Sequence, residues 1–227
     1  FAAESTLTYT GNYLSLKGAA DDATSSGIHW GTSADTTLGT LEYDTLNGRF
    51  QLMVNNTASV LRIDNTTLFL DRGQIKFPAT QNASSDANTL DDYEEGTWTP
   101  VLEDDSGAGS TSYNAQNGRY TKIGNMVHIV AVMVINSQAG VTGSENARMG
   151  GLPFTILSLA AGEPTFCCIG DGFGSGVTTG EGIAGIGETN GQRISLSIND
   201  TNGNTPMTCD EVSNSATVRL TGSYFIQ

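Results

Sequence analysis

Apolar residues in the N-terminal third come in short runs, Ile28-His29-Trp30, Leu38 to Tyr43, Arg49 to Val54, Ser59 to Ile63, Thr67 to Leu70 and Gln74 to Phe77. The runs recur at roughly ten-residue spacing and alternate with turn formers such as Ser33-Ala34-Asp35, Leu46-Asn47-Gly48, Asn55-Asn56-Thr57 and Asp71-Arg72-Gly73, which predicts short strands joined by tight turns. Asn47-Gly48 is the strongest hairpin signal, because both residues tolerate positive φ. The C-terminal half has a different texture. Met126 to Ile135 is apolar on both faces of a strand, with Val127, Ile129, Ala131, Met133 and Ile135 on one side and Met126, Val130, Val132 and Val134 on the other. A strand of that kind is covered twice, inside a sandwich or between a sandwich and its neighbours in a trimer. Further strands are expected at Leu152 to Leu159, Thr165 to Ile169, Arg193 to Ile198 and Ala216 to Ile226. The last alternates cleanly enough to end the chain inside its sheet, with no further domain expected after Gln227. Glu103 to Gly118 reads as a polar loop leading into a strand at Arg119 to Ile123.

Between the two textures stands Asn88-Thr89-Leu90-Asp91-Asp92-Tyr93-Glu94-Glu95-Gly96-Thr97-Trp98-Thr99-Pro100. Its carboxylates Asp91, Asp92, Glu94 and Glu95 read as a solvated collar, followed by an extended segment through Trp98 that Pro100 keeps out of a central strand position. The division expected is a β-repeat shaft at 1–82, an acidic linker or collar at 83–100, and a head at 101–227.

Magnitudes bear on assembly. A twenty-residue unit of the shaft offers three or four large apolar side chains worth about 2 kcal/mol each on burial, against about 1.5 kcal/mol per residue for ordering. Such a strip needs stacked neighbours, or copies of itself around a shared axis.

Composition sharpens the fold class to all-β: 28 glycines and only 15% charged residues argue against a helical protein. Twenty-four acids against ten bases give a net charge of −14, and the bases are scattered singly. Nucleic acid and anionic membrane are therefore excluded as partners. No apolar run reaches the roughly 18 residues of a membrane helix and no leader opens the chain. Because the first residue is Phe1, the sequence reads as the processed or ordered part of something longer. The cysteines, adjacent Cys167 and Cys168 plus Cys209, read as reduced, buried hydrophobes rather than a disulfide framework.

Candidate chemistry is sparse. His128 has no His or Cys partners spaced for a metal and reads as a hydrogen-bonded core or interface residue. Nine glycines lie between Gly170 and Gly191 without a phosphate-binding pattern; the run is a flexible loop, a glycine-rich strand pair, or a contact loop on a rigid scaffold. Gly172-Phe173-Gly174-Ser175-Gly176 does not fit a nucleophile elbow. Asn199 to Asn204, Asp21-Asp22 and Glu103-Asp104-Asp105 read as solvated turns. No cofactor or metal is called for.

The segments Gly27-Ile28-His29-Trp30-Gly31, Leu38-Gly39-Thr40-Leu41-Glu42-Tyr43-Asp44, Phe50-Gln51-Leu52 and Leu61-Arg62-Ile63-Asp64 resemble the shaft repeats of bacteriophage tail fibres. The stretch from Ser84 through Pro100, followed by Gly118-Arg119-Tyr120-Thr121-Lys122-Ile123-Gly124-Asn125, resembles the linker and opening strands of a C-terminal module of such fibres. The resemblance covers residues 27 to about 135. It implies a homotrimeric tail fibre or tail spike subunit located on the virion: a β-strand shaft, intertwined or stacked, followed by an antiparallel β-sandwich or jelly-roll-like head. Such a protein joins other virion proteins at its N-terminal end and touches a host glycan or protein at its head.

Aromatics on polar loops stack well on sugars, so Tyr113 and Phe173, with Asn114 and Asp171 as hydrogen-bonding neighbours, are the candidate receptor-binding residues. Asp91, Asp92, Glu94, Glu95 and Trp98 are the candidate collar residues. A non-enzymatic attachment protein is expected. The alternatives are an architectural capsid or collar fibre, and a depolymerase using paired carboxylates on a polysaccharide.

Overall fold

The computed structural model describes residues 7–10, 13–16, 25–30, 39–44, 47–54, 58–80, 84, 86, 88–158, 167–173 and 181–226. The sequence readings of Ser33-Ala34-Asp35, Asn55-Asn56-Thr57 and Asp21-Asp22 lie outside those residues. The chain divides into two compact units, Phe1–Lys76 and Phe77–Gln227.

The first unit holds an antiparallel hairpin, β1 (Leu7–Thr10) with β2 (Tyr13–Leu16), and a five-stranded antiparallel meander. The meander runs β3 (Ser25–Trp30), β4 (Gly39–Asp44), β5 (Arg49–Val54), β6 (Ala58–Ile63) and β7 (Leu68–Phe69), each paired with the next. Gly48 adopts φ 61° in the predicted β4–β5 turn, where Asn47 donates its backbone and side-chain N–H groups to Asp44 at 3.1 and 2.8 Å. Register sets Ile28, Leu41, Leu52 and Leu61 in one row and Tyr43, Phe50, Ile63 and Leu68 in the next, all on one face. Tyr43, Phe50, Ile63 and Leu68 are exposed, whereas Glu42, Asp44 and Gln51 on the opposite face are buried. Gln51 and Glu42 hydrogen-bond each other, and Ser59 donates to Gln51 at 2.7 Å. Residues 74–77, expected as a strand, are irregular; Gln74-Ile75-Lys76-Phe77 does alternate, but among the described residues none pairs with it.

The second unit is one continuous antiparallel sheet. Its strands are β8 (Tyr93–Trp98), β9 (Val101–Asp104), β10 (Gly107–Ala108), β11 (Ser112–Ile123), β12 (Met126–Ser137), β13 (Arg148–Gly150), β14 (Cys167–Phe173), β15 (Gly182–Gly187), β16 (Arg193–Asp200), β17 (Gly203–Pro206) and β18 (Thr217–Phe225). The spatial order is β10-β9-β13-β16-β15-β14-β18-β12-β11-β8, with β17 also on β16. The sheet curls so that Leu102, Met149, Ile194 and Leu196 from one end pack with Val127, Ile129, Met133 and Ile135 from the other in a single core. The ends are tied where Tyr113 Oη accepts from Leu102 N at 2.7 Å and Gln116 Nε2 donates to the Pro100 carbonyl at 3.0 Å. Cys168 and Cys209 are buried in this unit, as expected of small hydrophobes.

Three expectations are corrected here. The extended segment expected from Thr97, kept from a central position by Pro100, is the end of β8, an edge strand hydrogen-bonded to β11; what differs is its start, at Tyr93 within the acidic run read as a collar. The polar loop read at Glu103 to Gly118 is largely strand, because Leu102 and Asp104, then Gln116 and Gly118, point inward at alternate positions, with Tyr113 inward across a register shift. Leu152 to Leu159 is irregular over its described residues, held by scattered bonds such as Leu157 N to Phe225 O at 2.8 Å.

Candidate functional site

The two faces of β12 have different fates. Its inner side chains Val127, Ile129, Met133 and Ile135 are fully buried, while Val130 on the outer face is 52% exposed. Register extends this face across neighbouring strands. One row runs Tyr93, Ile123, Met126, Phe225, and the next Glu95, Thr121, His128, Ser223. Above them come Thr97, Arg119, Val130, Thr221, Ile169 and then Asn117, Val132, Arg219, Asp171. A groove of about 770 Å³ opens between Arg119, Val130, Val132, Ile169 and Arg219. A second hollow, about 450 Å³, shares Arg119 and Val130 and continues toward Glu95 and His128. Ile169 is 78% and Phe225 54% exposed, an unusual amount of apolar surface for a single sheet face. His128 is exposed here, with Nδ1 at 3.0 Å from Ser223 Oγ.

The predicted receptor residues fall at one end of this face. Ala115, Val134, Thr217 and Phe173 form its last row, Asn114 is the extra residue at a register shift beside Ala115, and Asp171 lies one row below. Asn114 and Asp171 are exposed, and Asp171 pairs with Arg219 at 3.1 Å. The side chain of Phe173 lies outside what the structure describes. Tyr113 does not stand on a loop: it is a strand residue packed on the core, its hydroxyl committed to Leu102, and burial raises its phenol above the ordinary tyrosine range.

The acidic stretch dissolves into separate roles. Asp91 accepts from Ser84 N at 2.7 Å. Asp92 is buried and paired with Lys122, and its backbone carbonyl accepts from Gly124 N at 3.0 Å. The Tyr120 hydroxyl donates to Glu94, and the Tyr93 hydroxyl to Glu95. Burial, then the bond to Glu94, pushes the Tyr120 phenol up to about 12. Trp98 is buried over Gly118, where an added Cβ would stand 2.5 Å from the indole ring. The expectation of four solvated acids therefore fails at Asp92, because Lys122 folds beneath β8 and needs a counter-charge.

Sequence reasoning missed a network on the other end of the sheet. Arg148, buried in β13, pairs with Glu188 and Asp105; Arg193 Nε and Ser195 Oγ each donate to Glu188 at 2.5 Å. Burial works against ionisation of Glu188, but Ser195 and the two guanidiniums outweigh it and hold the carboxyl below its ordinary value. Glu103, on the adjacent strand, is raised by burial. No sequence spacing marks this cluster, because the turn after β9, β13 and the Glu188–Ser195 segment, some forty residues apart along the chain, supply it. Asp104 is also no solvated turn: its carboxylate accepts from Ser106, Gly107 and Thr142, and the Ser106 hydroxyl, then the Thr142 amide, lower it to about 2. Among the described residues no three His, Cys, Asp or Glu side chains gather as a metal site, and no helix is long and apolar enough to cross a membrane.

No family model and no curated protein matches the chain. Among solved structures, the crystal structure of the Dettilon tailspike protein is similar at 18% identity and a TM-score of 0.49, over 60% of this chain and 24% of that one. The matched part thus spans about a quarter of the tailspike chain. Similarity at that level assigns no function.

Proposed function

We propose that this chain is a subunit of a bacteriophage tail fibre or spike: a virion protein that assembles as a homotrimer, joins other virion proteins through its N-terminal end, and attaches the particle to a host-surface glycan or protein. The observation that carries the reading is the inverted sheet of β3 to β7: Ile28, Tyr43, Phe50, Ile63 and Leu68 are exposed and Leu41, Leu52 and Leu61 only half-buried, while its buried positions are polar. The five exposed apolar side chains, at about 2 kcal/mol each, are worth burying only against another layer, and copies of one chain around an axis supply that layer, as a shaft does. The sequence motifs that resemble fibre shafts and the fibre C-terminal module occupy these same strands and β8 to β11. Attachment falls to Asn114 and Phe173 at the end of the head sheet, with the chain binding its receptor rather than cleaving it.

The test is adsorption competition. Free protein at saturating dose should block attachment of the parent phage to its host; no competition would leave only the architectural reading. Incubation with the host envelope polysaccharide supplies the second arm. Shortened chains would replace attachment by cleavage, and Glu103 and Glu188, held apart in acidity within one cluster, are the carboxylates to substitute first.

A further inference from the structure

We propose that the outer face of β8, β11, β12, β18 and β14 is where the head of one copy of this chain docks on the next. The inference rests on the fibre-subunit reading and says which surface of the head joins the copies.

Three observations converge on a second copy as the occupant. The first is the sequence of β12, which spends Val130 and Val132 on a face that the rest of its own head leaves open; with Ile169 and Phe225 the face is apolar at its centre and along one end. Its size suits the role. Nine residues each of β11, β12 and β18, with six of β8 and five of β14, about 38 residues at about 4.8 Å by 3.3 Å each, make a patch of roughly 600 Å² in plan. A ring shares that patch between two neighbours, and side-chain relief brings the total near the roughly 800 Å² that one copy gives to a stable association. The third observation is charge. The chain carries −14 overall, so two copies repel across most of their surface, yet this face is balanced: Arg119 and Arg219 offset Glu95 and Asp171. Across the sheet the charges run carboxylate on β8, arginine on β11, apolar on β12, arginine on β18 and carboxylate on β14. In a closed ring the β8–β11 side of one copy meets the β18–β14 side of the next, and a sideways shift of about one strand sets Arg119 of one copy against Asp171 of its neighbour, a heterologous contact that the ring repeats. A basic partner protein would be drawn to the acidic remainder of the surface instead. Asp171 thereby moves from the receptor-binding end to the contact between copies, leaving Asn114 and Phe173 at the free end.

The experiment compares solution masses of the full chain by sedimentation. Wild type should run at three copies. The double variant Val130→Asp with Ile169→Asp should fall to one copy at the same concentration, its association weakened at least 100-fold, with an unchanged far-ultraviolet circular dichroism spectrum. Leu90→Asp, at an equally exposed apolar residue off the face, should leave the mass unchanged. Should the double variant fail to fold, Arg219→Glu serves, since that side chain is exposed; it should weaken association at least tenfold at low salt and less at high salt. Wild-type mass in a folded Val130/Ile169 variant, or an indifferent Arg219→Glu, overturns this interface while leaving the fibre reading to the adsorption assay. A wild type that runs as a single copy also overturns it.

Discussion

Lys122 and Asp92 form a pair whose side chains are 4% and 8% exposed, with Lys122 Nζ also 5.8 Å from the centre of the Phe154 ring. Their burial decides the magnitude of a substitution. An exposed pair of this type contributes about 0.2–1 kcal/mol, whereas removing one partner of a buried pair costs about 3–5 kcal/mol because the other charge is left dry and uncompensated. Lys122→Met keeps the length and packing of the stem and removes only the charge, so it should cost about 3–5 kcal/mol. Adding Asp92→Asn removes the stranded carboxylate, and the double variant should regain at least half of the loss. The assay is urea unfolding at matched protein concentration, since assembly raises apparent stability by mass action, with the denaturant slope checked for constancy. A single-variant loss below about 1 kcal/mol, or a double variant no better than Lys122→Met, would refute the argument that β8 is locked to β11 by a dry charge pair.

Other expectations follow from the same structure. Gly118→Ala drives a methyl into the Trp98 ring, with ideal contact at 2.5 Å; overpacking of that kind should cost about 1–3 kcal/mol, and Trp98→Phe should relieve part of it. The folded Asp104 carboxyl titrates at about 2, below its ordinary value of 3.8. A depressed folded value means that its stabilisation is fully present above about pH 4 and is lost as pH falls toward 2. Melting temperature followed from pH 5 to 2 should show that loss in wild type and a flatter profile in Asp104→Asn. Cys209 is buried and its thiol is pushed up to about 11, chiefly by burial. It should resist thiol reagents in the native protein and react only on unfolding; prompt labelling at neutral pH would contradict its place in the core.

Much of the strand structure was legible because alternation reports burial directly. Met126 to Ile135 and Ala216 to Ile226 were expected as strands and are found at Met126–Ser137 and Thr217–Phe225, with Val218, Leu220 and Tyr224 inward. The glycine-rich run was harder. Of its readings, a strand pair is what its described residues form, β14 against β15. Glycine carries no side chain to alternate, and Gly185 is there because a Cβ would stand 2.5 Å from Ile194. Ile183 and Ile186 were the faint signal available. The collar was misread for a different reason. Charge runs usually lie in solvent, as Glu94 and Glu95 do, and only the partner of Asp92, thirty residues on, reveals that this one acid turns inward. Tyr113 failed as a loop residue because the polar residues around it face outward from a strand whose other side holds Gly118. The Arg148–Glu188 network was invisible in principle, since no pattern within one strand announces contacts between strands some forty residues apart.

The central claim is that this chain works only as an assembly, its apolar sheet faces covered by copies of itself. The solution mass of the full chain tests it most directly. Three times the 23.8 kDa of one chain, constant over a wide range of concentration, is the predicted result. A mass of 23.8 kDa at micromolar concentration would contradict it.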